Sequence, residues 1–557
     1  MSARRARFRE ELLVAALAIA PLLLLLDAAV SIDAPVFVAV ARQIVKAPAD
    51  PFGFRMIWDP TSPDTAVFNR NPPLLSYWLA PWIALFGERE TVMHAALLPF
   101  PLIAGLAFLG LARRLAGEGI RPALLLVATP AFGVLAATLM LDLPLLAFWL
   151  LAAWALVRGA ERDDRRWLIA AGLAAALAGL TKYVGFATAP LLAAGVWLLC
   201  RRRASGLLCA LAPPLLAWGG WGAYTYWRYG FVHFLGSTDV VVGRSFEPRE
   251  IWNQVASVPI YYGAALLFPV WRAAMALAKG ERGARRVLLG LLLGTAAVSW
   301  VLPTGEPPRR AALGVDQAVL GAFAFAGAFW LWSRFFEPAR LAASAQDRFL
   351  LLWLVGLLIF SSVLNWHVNA ADALLAAPPA LLLLFRDASL CPSRRTVGVW
   401  LAISLPLGWL LAAADAEQAD VYRTAARRIA GEIGAQQGGR WFVGHWGLQH
   451  YLEQDGFQSV VPPMYGRSDL AKGDWVATAR NVSQLDVSQN MRRFTLREVW
   501  AWDFTSRLPL RTTNADAGAG FYSHHAGYLP FAFSRLPLDR VQLGRVVVGA
   551  APEADAR

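Results

Sequence analysis

The chain has 557 residues, of which 57% are hydrophobic and 16% are charged, and its mean hydropathy is +0.45. This composition is not that of a soluble globular protein, and we predict a polytopic membrane protein. The net charge of +13 does not indicate a nucleic-acid partner, because the basic residues recur in alternate connections between apolar segments instead of forming one patch.

About thirteen apolar segments approach the roughly 20 residues that are needed to span a bilayer. They are predicted at 11–30, 91–112, 122–139, 143–157, 167–181, 183–199, 206–226, 255–271, 287–302, 313–333, 349–364, 371–385 and 397–414. The basic alternate connections follow the positive-inside rule, which predicts a cytoplasmic N-terminus and a retained first segment. The chain after the last segment then lies on the outer side of the membrane.

The chain changes character near Asp415. We predict a membrane domain over residues 1–414 and a second, extracytoplasmic domain over 415–557, which is long enough for its own core. Hydrophobic periodicity predicts helices at 421–433 and 448–453, and strands at 441–444, 475–479 and 494–502. The fold class expected is therefore an α-helical polytopic membrane protein with a small C-terminal α/β domain.

The first predicted outer loop, Ser31–Glu90, begins with Asp33 close to a membrane exit. An ionisable side chain at a membrane boundary is costly unless it is solvated or paired, which makes Asp33 a functional candidate. The competing interpretation is that Asp33 caps a helix over Pro35–Val45. The same loop continues through Arg70 into the sequence Asn-Pro-Pro-Leu-Leu-Ser-Tyr-Trp at 71–78.

Two further charged residues are predicted on the same membrane face. Asp142 lies in a tight outer turn before Pro144, where the alternative is a structural turn residue. Lys182, one of only four lysines in the chain, lies between two apolar segments and can bind a phosphate as a point charge. The alternative for Lys182 is a snorkelling side chain at a helix end. Two acids on one face can position an acceptor or hold a divalent cation.

Other polar groups are predicted to lie outside near headgroup depth. His367 and Asn369 lie in an outer turn that could equally belong to an aromatic belt. Arg70 and Arg244 are outer cations that can contact an anionic lipid headgroup. Gly444–Tyr451 joins a predicted strand to a helix, and is either a sugar or anion contact or a structural turn.

The sequence contains no Walker-type glycine loop, no Rossmann fingerprint and no zinc-type cysteine cluster. Use of ATP or a nucleotide sugar therefore has no support. No cofactor is predicted apart from the divalent cation that the outer acids could hold.

Taken in order, these motifs resemble the polytopic lipid-phosphate-sugar-dependent glycosyltransferases of family 39, with the protein O-mannosyltransferases and lipid A aminoarabinose transferases as relatives. The resemblance is carried by Asp33, Asn-Pro-Pro-Leu-x-Ser-Tyr-Trp at 71–78, Met-x-Asp-x-Pro at 140–144, Leu-Thr-Lys-Tyr at 180–183 and Asn-Trp-x-x-Asn at 365–369. It implies a GT-C-like fold. The chain departs from the family at Ala34, Asn71, Pro72 and Ala370-Ala371-Asp372, where relatives carry other, mostly charged groups.

The resemblance also implies transfer of a sugar from a polyprenyl-phosphate donor to an extracytoplasmic lipid, glycan or protein, with inversion, in a bacterial inner membrane. It makes Asp33 the base or a metal-organising carboxylate and Asp142 a supporting acid. The residues that would contact the donor phosphate are Lys182, Arg70 and Arg244. Those that would contact the substrate are Asn71, Tyr77, His367 and Asn369. The alternatives are a transporter or flippase for a lipid-linked or anionic substrate, and a non-catalytic anchor for the C-terminal domain.

Overall fold

The computed structural model describes residues 2–59, 62–236, 248–280, 283–301, 315–338, 344–466, 468–484, 487–492 and 494–548. The first ten helices are α1 (Ser2–Leu24), α2 (Ala34–Lys46), α3 (Thr65–Phe68), α4 (Leu74–Phe86), α5 (Glu90–Ala96), α6 (Pro99–Leu115), α7 (Ile120–Val127), α8 (Pro130–Ala136), α9 (Asp142–Arg162) and α10 (Arg165–Thr181). They are followed by α11 (Thr188–Leu199), α12 (Arg203–Tyr229), α13 (Pro248–Leu266), α14 (Phe268–Ala278), α15 (Ala284–Val301), α16 (Val315–Phe335), α17 (Ala345–Ile359), α18 (Ala370–Arg386), α19 (Arg394–Ile433), α20 (Trp446–Gln454) and α21 (Ser488–Met491).

Six stretches of the described chain are helical, long and apolar enough to cross a membrane. They are Glu90–Leu115, Asp142–Arg162, Arg203–Tyr229, Val315–Phe335, Ala345–Leu364 and Arg394–Ile433. The pair α13 and α14 would make a seventh, although it bends by 88° at the intervening residue, Leu267. The protein is therefore a multi-pass membrane protein, as predicted, whereas the count of about thirteen spans is not confirmed.

Some predicted spans are interrupted where the backbone cannot continue as one helix. The segment 122–139 is divided into α7 and α8, because Pro130 cannot donate a helical hydrogen bond and the Thr129 hydroxyl caps α8 by accepting from the Phe132 amide at 3.2 Å. The segment 183–199 begins with a 3₁₀ turn, Tyr183–Ala187, before α11. This interruption leaves Lys182 in extended backbone just after α10.

Amphipathic patterns at Pro35–Val45 and Pro73–Phe86 in the first outer loop predict two helices that lie along the membrane interface, and the structure forms helices there, α2 and α4. Helix α2 starts directly after Asp33 and has Pro35 in its first turn, and it packs against α4. The Ser76 hydroxyl of α4 donates to the Phe37 carbonyl at 2.9 Å, which fixes the two helices together. Asp33 is thereby held at the start of an anchored helix.

Helices α9 and α10 bring two predicted site residues to the same end of the helical part. They are joined by a two-residue connection in which Asp163 has a left-handed φ of 49° and the Asp164 side chain caps α10. They pack side by side as antiparallel neighbours. Because Asp142 begins α9 and Lys182 follows α10, the two side chains meet.

The C-terminal part contains a five-stranded mixed sheet in the order β2-β1-β3-β9-β4. The strands are β1 (Arg440–Val443), β2 (Gln458–Ser459), β3 (Trp475–Ala479), β4 (Thr495–Phe504), β5 (Leu510–Arg511), β6 (Thr513–Asn514), β7 (Ala519–Gly520), β8 (Ala532–Phe533) and β9 (Asp539–Val548). β1 pairs in parallel with β2 and β3, and β9 pairs antiparallel with β3 and β4. The predicted α/β fold is confirmed, with β9 as a strand that the sequence analysis missed.

Helix α19 runs unbroken through the predicted domain boundary at 414/415. The helix predicted at 421–433 is therefore the last part of a much longer one. The division into 1–414 and 415–557 stays a prediction, since the two parts share this helix.

The C-terminal part is docked against the helical part by buried tyrosines. The Tyr422 hydroxyl on α19 donates to the Asn481 carbonyl at 3.0 Å. The Tyr451 hydroxyl on α20 accepts from the Val30 amide at 2.8 Å and donates to Glu90 at 3.0 Å. These contacts hold α20 and the sheet over the first outer loop.

Candidate active site

A cavity of about 990 Å³ lies between the helical part and the C-terminal part. Its lining includes seven of the predicted site residues, namely Asp33, Arg70, Asn71, Asp142, Lys182, His367 and Asn369. They come from the first outer loop, from α9, from the backbone after α10 and from the turn before α18. Residues far apart in sequence therefore meet at one site, as the predicted membrane sidedness required.

Asp33 enters this cavity without being engaged in the helix cap that was its alternative interpretation. It occupies the N-cap position of α2, but its side chain makes no capping hydrogen bond. Over the described residues, no hydrogen bond to the carboxylate is found. The preceding residue, Ile32, has a φ of 53°, an unfavourable left-handed conformation for a β-branched side chain. The local backbone is thus held in a costly shape that leaves the Asp33 carboxylate open to the cavity.

Burial and the neighbouring charges change the pKa of the Asp33 carboxylate. Burial raises the pKa of Asp33 to about 6, while the positive charge of Lys182 opposes the rise and the carboxylate of Asp142 adds to it. A carboxylate with a pKa near 6 is ionised at neutral pH and is still basic enough to accept a proton from a reacting group.

Lys182 is paired with Asp142 across a Nζ–Oδ1 distance of 2.8 Å. The Asp142 side chain is 9% exposed and that of Lys182 is 31% exposed, so the ammonium group keeps access to the cavity. Burial, the largest single effect, lowers the pKa of Lys182, but the carboxylates of Asp142, Asp372 and Asp33 together outweigh it and the pKa is raised overall. Lys182 is therefore held in place and positively charged at neutral pH. The Asp142 carboxylate is engaged in this ion pair.

Asp372 is a third carboxylate at the cavity, and the sequence analysis noted it only as a departure from the family. It lies in the first turn of α18 and is buried. Its Oδ2 accepts from the Asn365 amide at 2.9 Å, and its backbone N–H donates to the Asn369 side chain at 2.9 Å. A turn followed by a capped helix is the signal that would have identified it.

The predicted substrate contacts in this turn are engaged with each other. The Asn369 side chain caps α18 through its oxygen and donates from Nδ2 to His367 Nε2 at 3.0 Å. Asn369 therefore has a structural role beside any contact with substrate. On the opposite side, Arg70 Nη2 lies 3.8 Å from Asp59 Oδ2, and both residues line the cavity.

One of the predicted site residues that the structure describes, Tyr77, is not brought into the cavity. Tyr77 is not among the lining residues, because it lies on α4 with its hydroxyl donating to the Pro48 carbonyl at 2.6 Å. Its prediction as a substrate contact has no support from its position. Arg244 lies outside the described residues.

The C-terminal part contributes a whole wall of the cavity, of which the sequence suggested only Gly444–Tyr451 as a sugar or anion contact. This wall consists of Trp446, residues 480–484 and segment 512–526, of which residues 513–515, 521–523, 525 and 526 line the cavity. The segment is fixed by backbone hydrogen bonds, from Ala370 to the Phe521 carbonyl at 3.0 Å and from His524 to the Val368 carbonyl at 2.9 Å. Tyr522 also donates to the buried Asp415 on α19 at 2.7 Å.

The acids of the cavity do not fit a divalent cation. Asp142 is paired with Lys182, and Asp372 accepts from Asn365. In the described parts of the chain there is no group of three or more His, Cys, Asp or Glu side chains placed to hold a metal ion. The divalent cation considered from sequence stays a prediction, and no step is assigned to it.

Comparisons with known proteins point to one class. Residues 70–217 match the family model described as dolichyl-phosphate-mannose-protein mannosyltransferase. This segment contains the motifs at 71–78, 140–144 and 180–183, so the resemblance seen in the sequence is confirmed there. None of the curated proteins matches the chain in a sequence search.

Three solved structures are similar to the chain at low identity. ArnT from Cupriavidus metallidurans in the apo state is 16% identical, with 98% of this chain and 100% of that chain covered and a TM-score of 0.44. The same protein bound to undecaprenyl phosphate is 16% identical, with coverage of 97% and 99% and a TM-score of 0.42. The Archaeoglobus fulgidus oligosaccharyltransferase tethered to an acceptor peptide is 14% identical, with coverage of 84% and 68% and a TM-score of 0.44.

Proposed function

We propose that the protein is an integral membrane glycosyltransferase that moves a sugar from a polyprenyl-phosphate donor to an extracytoplasmic acceptor. The observation that carries the proposal is the unpaired Asp33 carboxylate, which shares one cavity with the Lys182–Asp142 pair. A base and a fixed cation in one cavity are what the transfer of a phosphate-linked sugar needs. The family-model match over residues 70–217 supports the same class.

In the proposed reaction, a hydroxyl or amine of the acceptor attacks the anomeric carbon of the donor sugar. Asp33 accepts the proton of the attacking group as the new bond forms. The bond between the anomeric carbon and the phosphate oxygen breaks, and polyprenyl phosphate leaves with the electron pair. A single displacement of this kind inverts the configuration at the anomeric carbon.

Lys182 stabilises the leaving phosphate, because negative charge develops on its oxygen in the transition state. Asp142 keeps the ammonium group in place and is a positioning residue, which refines its prediction as a supporting acid. Arg70 lines the same cavity and supplies a second positive charge. No soluble energy source is required, since the donor itself carries the leaving group.

The proposed orientation follows the positive-inside pattern, with a cytoplasmic N-terminus and the cavity at the outer face of a bacterial inner membrane. A transporter remains the competing function, because a polar cavity in a membrane protein can also bind a substrate without converting it.

Turnover of a lipid donor distinguishes glycosyl transfer from transport. The purified protein is incubated in detergent with a panel of polyprenyl-phosphate sugars and a membrane extract as acceptor source, and free polyprenyl phosphate is quantified by mass spectrometry. We expect release from at least one donor, dependent on the extract. Binding of donors without release from any of them would instead support transport.

A further inference from the structure

The wall formed by the C-terminal part differs in chemistry from the rest of the cavity. Its described lining residues carry aromatic, amide and hydroxyl groups and include no carboxylate. The one guanidinium there, on Arg480, forms an ion pair with Asp516 at 2.8 Å. The wall is therefore close to electrically neutral, in contrast to the charged side that holds Asp33 and Lys182.

One polar group of this wall has no partner within the described protein. The hydroxyl of Thr513 is buried, with the residue 5% exposed, and makes no hydrogen bond. Strand β6 holds it in place by pairing Thr513 with Gly520 of β7. The neighbouring Thr512 is satisfied by donating to Asp415 at 2.6 Å. A buried hydroxyl without a partner is costly, and a ligand hydroxyl reaching this part of the cavity would satisfy it.

Two tryptophans, Trp446 and Trp366, line the cavity together with these polar groups. Trp446 opens α20 with a φ of 60°, a strained conformation for a bulky residue that the fold maintains at the cavity lining. Trp366, in the turn before α18, also lines the cavity and is 47% exposed, with its ring stacked against His525 at 5.8 Å. Flat aromatic faces contact the C–H faces of sugar rings, while amides and hydroxyls exchange hydrogen bonds with sugar hydroxyls.

From this combination we infer that the C-terminal wall binds a neutral sugar ring of the acceptor, so that the acceptor is a glycan. The inference rests on the proposed function and specifies its acceptor. A phosphorylated glycolipid would need an unpaired cation on this wall, whereas Arg480 is paired. The donor is anchored by Lys182 on the helical side, which leaves the C-terminal wall for the acceptor.

Binding measured without turnover tests the inference. The probes are neutral hexose and N-acetylhexosamine oligomers, serine- and threonine-containing peptides, a bis-phosphorylated glycolipid, and undecaprenyl phosphate. Affinities for the detergent-solubilised full chain are measured by saturation-transfer NMR and microscale thermophoresis. We expect at least one neutral oligosaccharide to bind.

The variant Thr513→Val removes the hydroxyl and keeps the shape of the side chain. We expect it to weaken oligosaccharide binding about three- to tenfold, the effect of one lost hydrogen bond, and to leave undecaprenyl phosphate binding unchanged. Thr513→Ser, which keeps a hydroxyl, should bind like the unmodified protein and shows that the site still folds. Thr495→Val, on an exposed strand position away from the cavity, is the matched control.

Binding of the peptides or the phosphorylated glycolipid, with no oligosaccharide binding, would overturn the inference. So would a Thr513→Val variant that binds a polyprenyl-phosphate sugar more weakly but free oligosaccharides normally, because the wall would then hold the donor sugar. Failure of undecaprenyl phosphate itself to bind would count against the proposed function, independently of the acceptor.

Discussion

At the scale of single residues, Asp33 and Asp142 show how two acids on one cavity acquire different roles. The Asp142 carboxylate forms a 2.8 Å ion pair with Lys182, whereas the Asp33 carboxylate has no hydrogen-bond partner among the described residues. Their sequence contexts did not reveal this difference, since each reads equally as a turn or cap residue. The distinction depends on which side chains meet in space, and only the packing of α9 beside α10 determines that.

The protonation of Asp33 predicts how activity depends on pH. The pKa of Asp33 is raised to about 6, and only the ionised carboxylate can accept a proton. We therefore expect kcat/KM to be constant above this pKa and to fall by about tenfold per pH unit below it. Undecaprenyl phosphate binding, measured over the same pH range, separates this effect from titration of the donor phosphate. A rate that is unchanged between pH 7 and pH 5 would exclude Asp33 as the base.

The Lys182–Asp142 pair predicts a non-additive effect on stability. Lys182→Met leaves the Asp142 carboxylate buried without its partner, and we expect a loss of about 1–3 kcal/mol in the free energy of unfolding. The value is lower than for a fully buried pair because Lys182 is 31% exposed. The double variant Lys182→Met/Asp142→Asn should recover part of the loss, since the remaining amide is uncharged. Thermal unfolding in detergent measures the stability of the single and double variants. Losses of stability that simply add up in the double variant would contradict the pairing.

At the scale of elements, the interruptions of the helices position the site. The amphipathic helices α2 and α4 and the strand at 475–479 could be predicted, because each has a clear local pattern. The break at Lys182 was also predicted, because this charged residue separates two apolar segments. The break at Pro130 was missed, since hydropathy is continuous across it. Strand β9 was missed because it pairs with β3 and β4 only through contacts distant in sequence.

Close helix packing predicts where the membrane part tolerates no added atoms. A Cβ on Gly263 of α13 would lie 2.0 Å from the Ala324 carbonyl of α16. We expect Gly263→Ala to destabilise the protein by about 1–3 kcal/mol, because backbone atoms cannot move aside as a flexible side chain can. Gly356→Ala on α17 is the control: no atom lies within 4 Å of its Cβ, so it should be neutral or slightly stabilising. Equal melting temperatures for the two variants would show that α13 and α16 are not packed this closely.

At the scale of the whole molecule, the cavity is shared between the two parts of the chain. The sequence allowed the membrane character, the α/β fold of the C-terminal part and the clustering of Asp33, Asp142 and Lys182 to be predicted. It did not predict that segment 512–526 closes the cavity, because that segment has only short strands and weak periodicity. Its hydrogen bonds to Val368, Ala370 and Asp415 are all long-range. The C-terminal part is consequently a component of the site and not merely an anchored neighbour.

The central claim is that Asp33 is the base of a sugar transfer, and the most direct test is release of polyprenyl phosphate by Asp33→Asn. The variant keeps the size of the side chain and removes its basicity, so we expect a rate about 10²- to 10⁴-fold lower, with undecaprenyl phosphate binding retained. Asp27→Asn, an exposed acid of the same region that does not line the cavity, should release polyprenyl phosphate at the unmodified rate. Release by Asp33→Asn at that same rate would contradict the account.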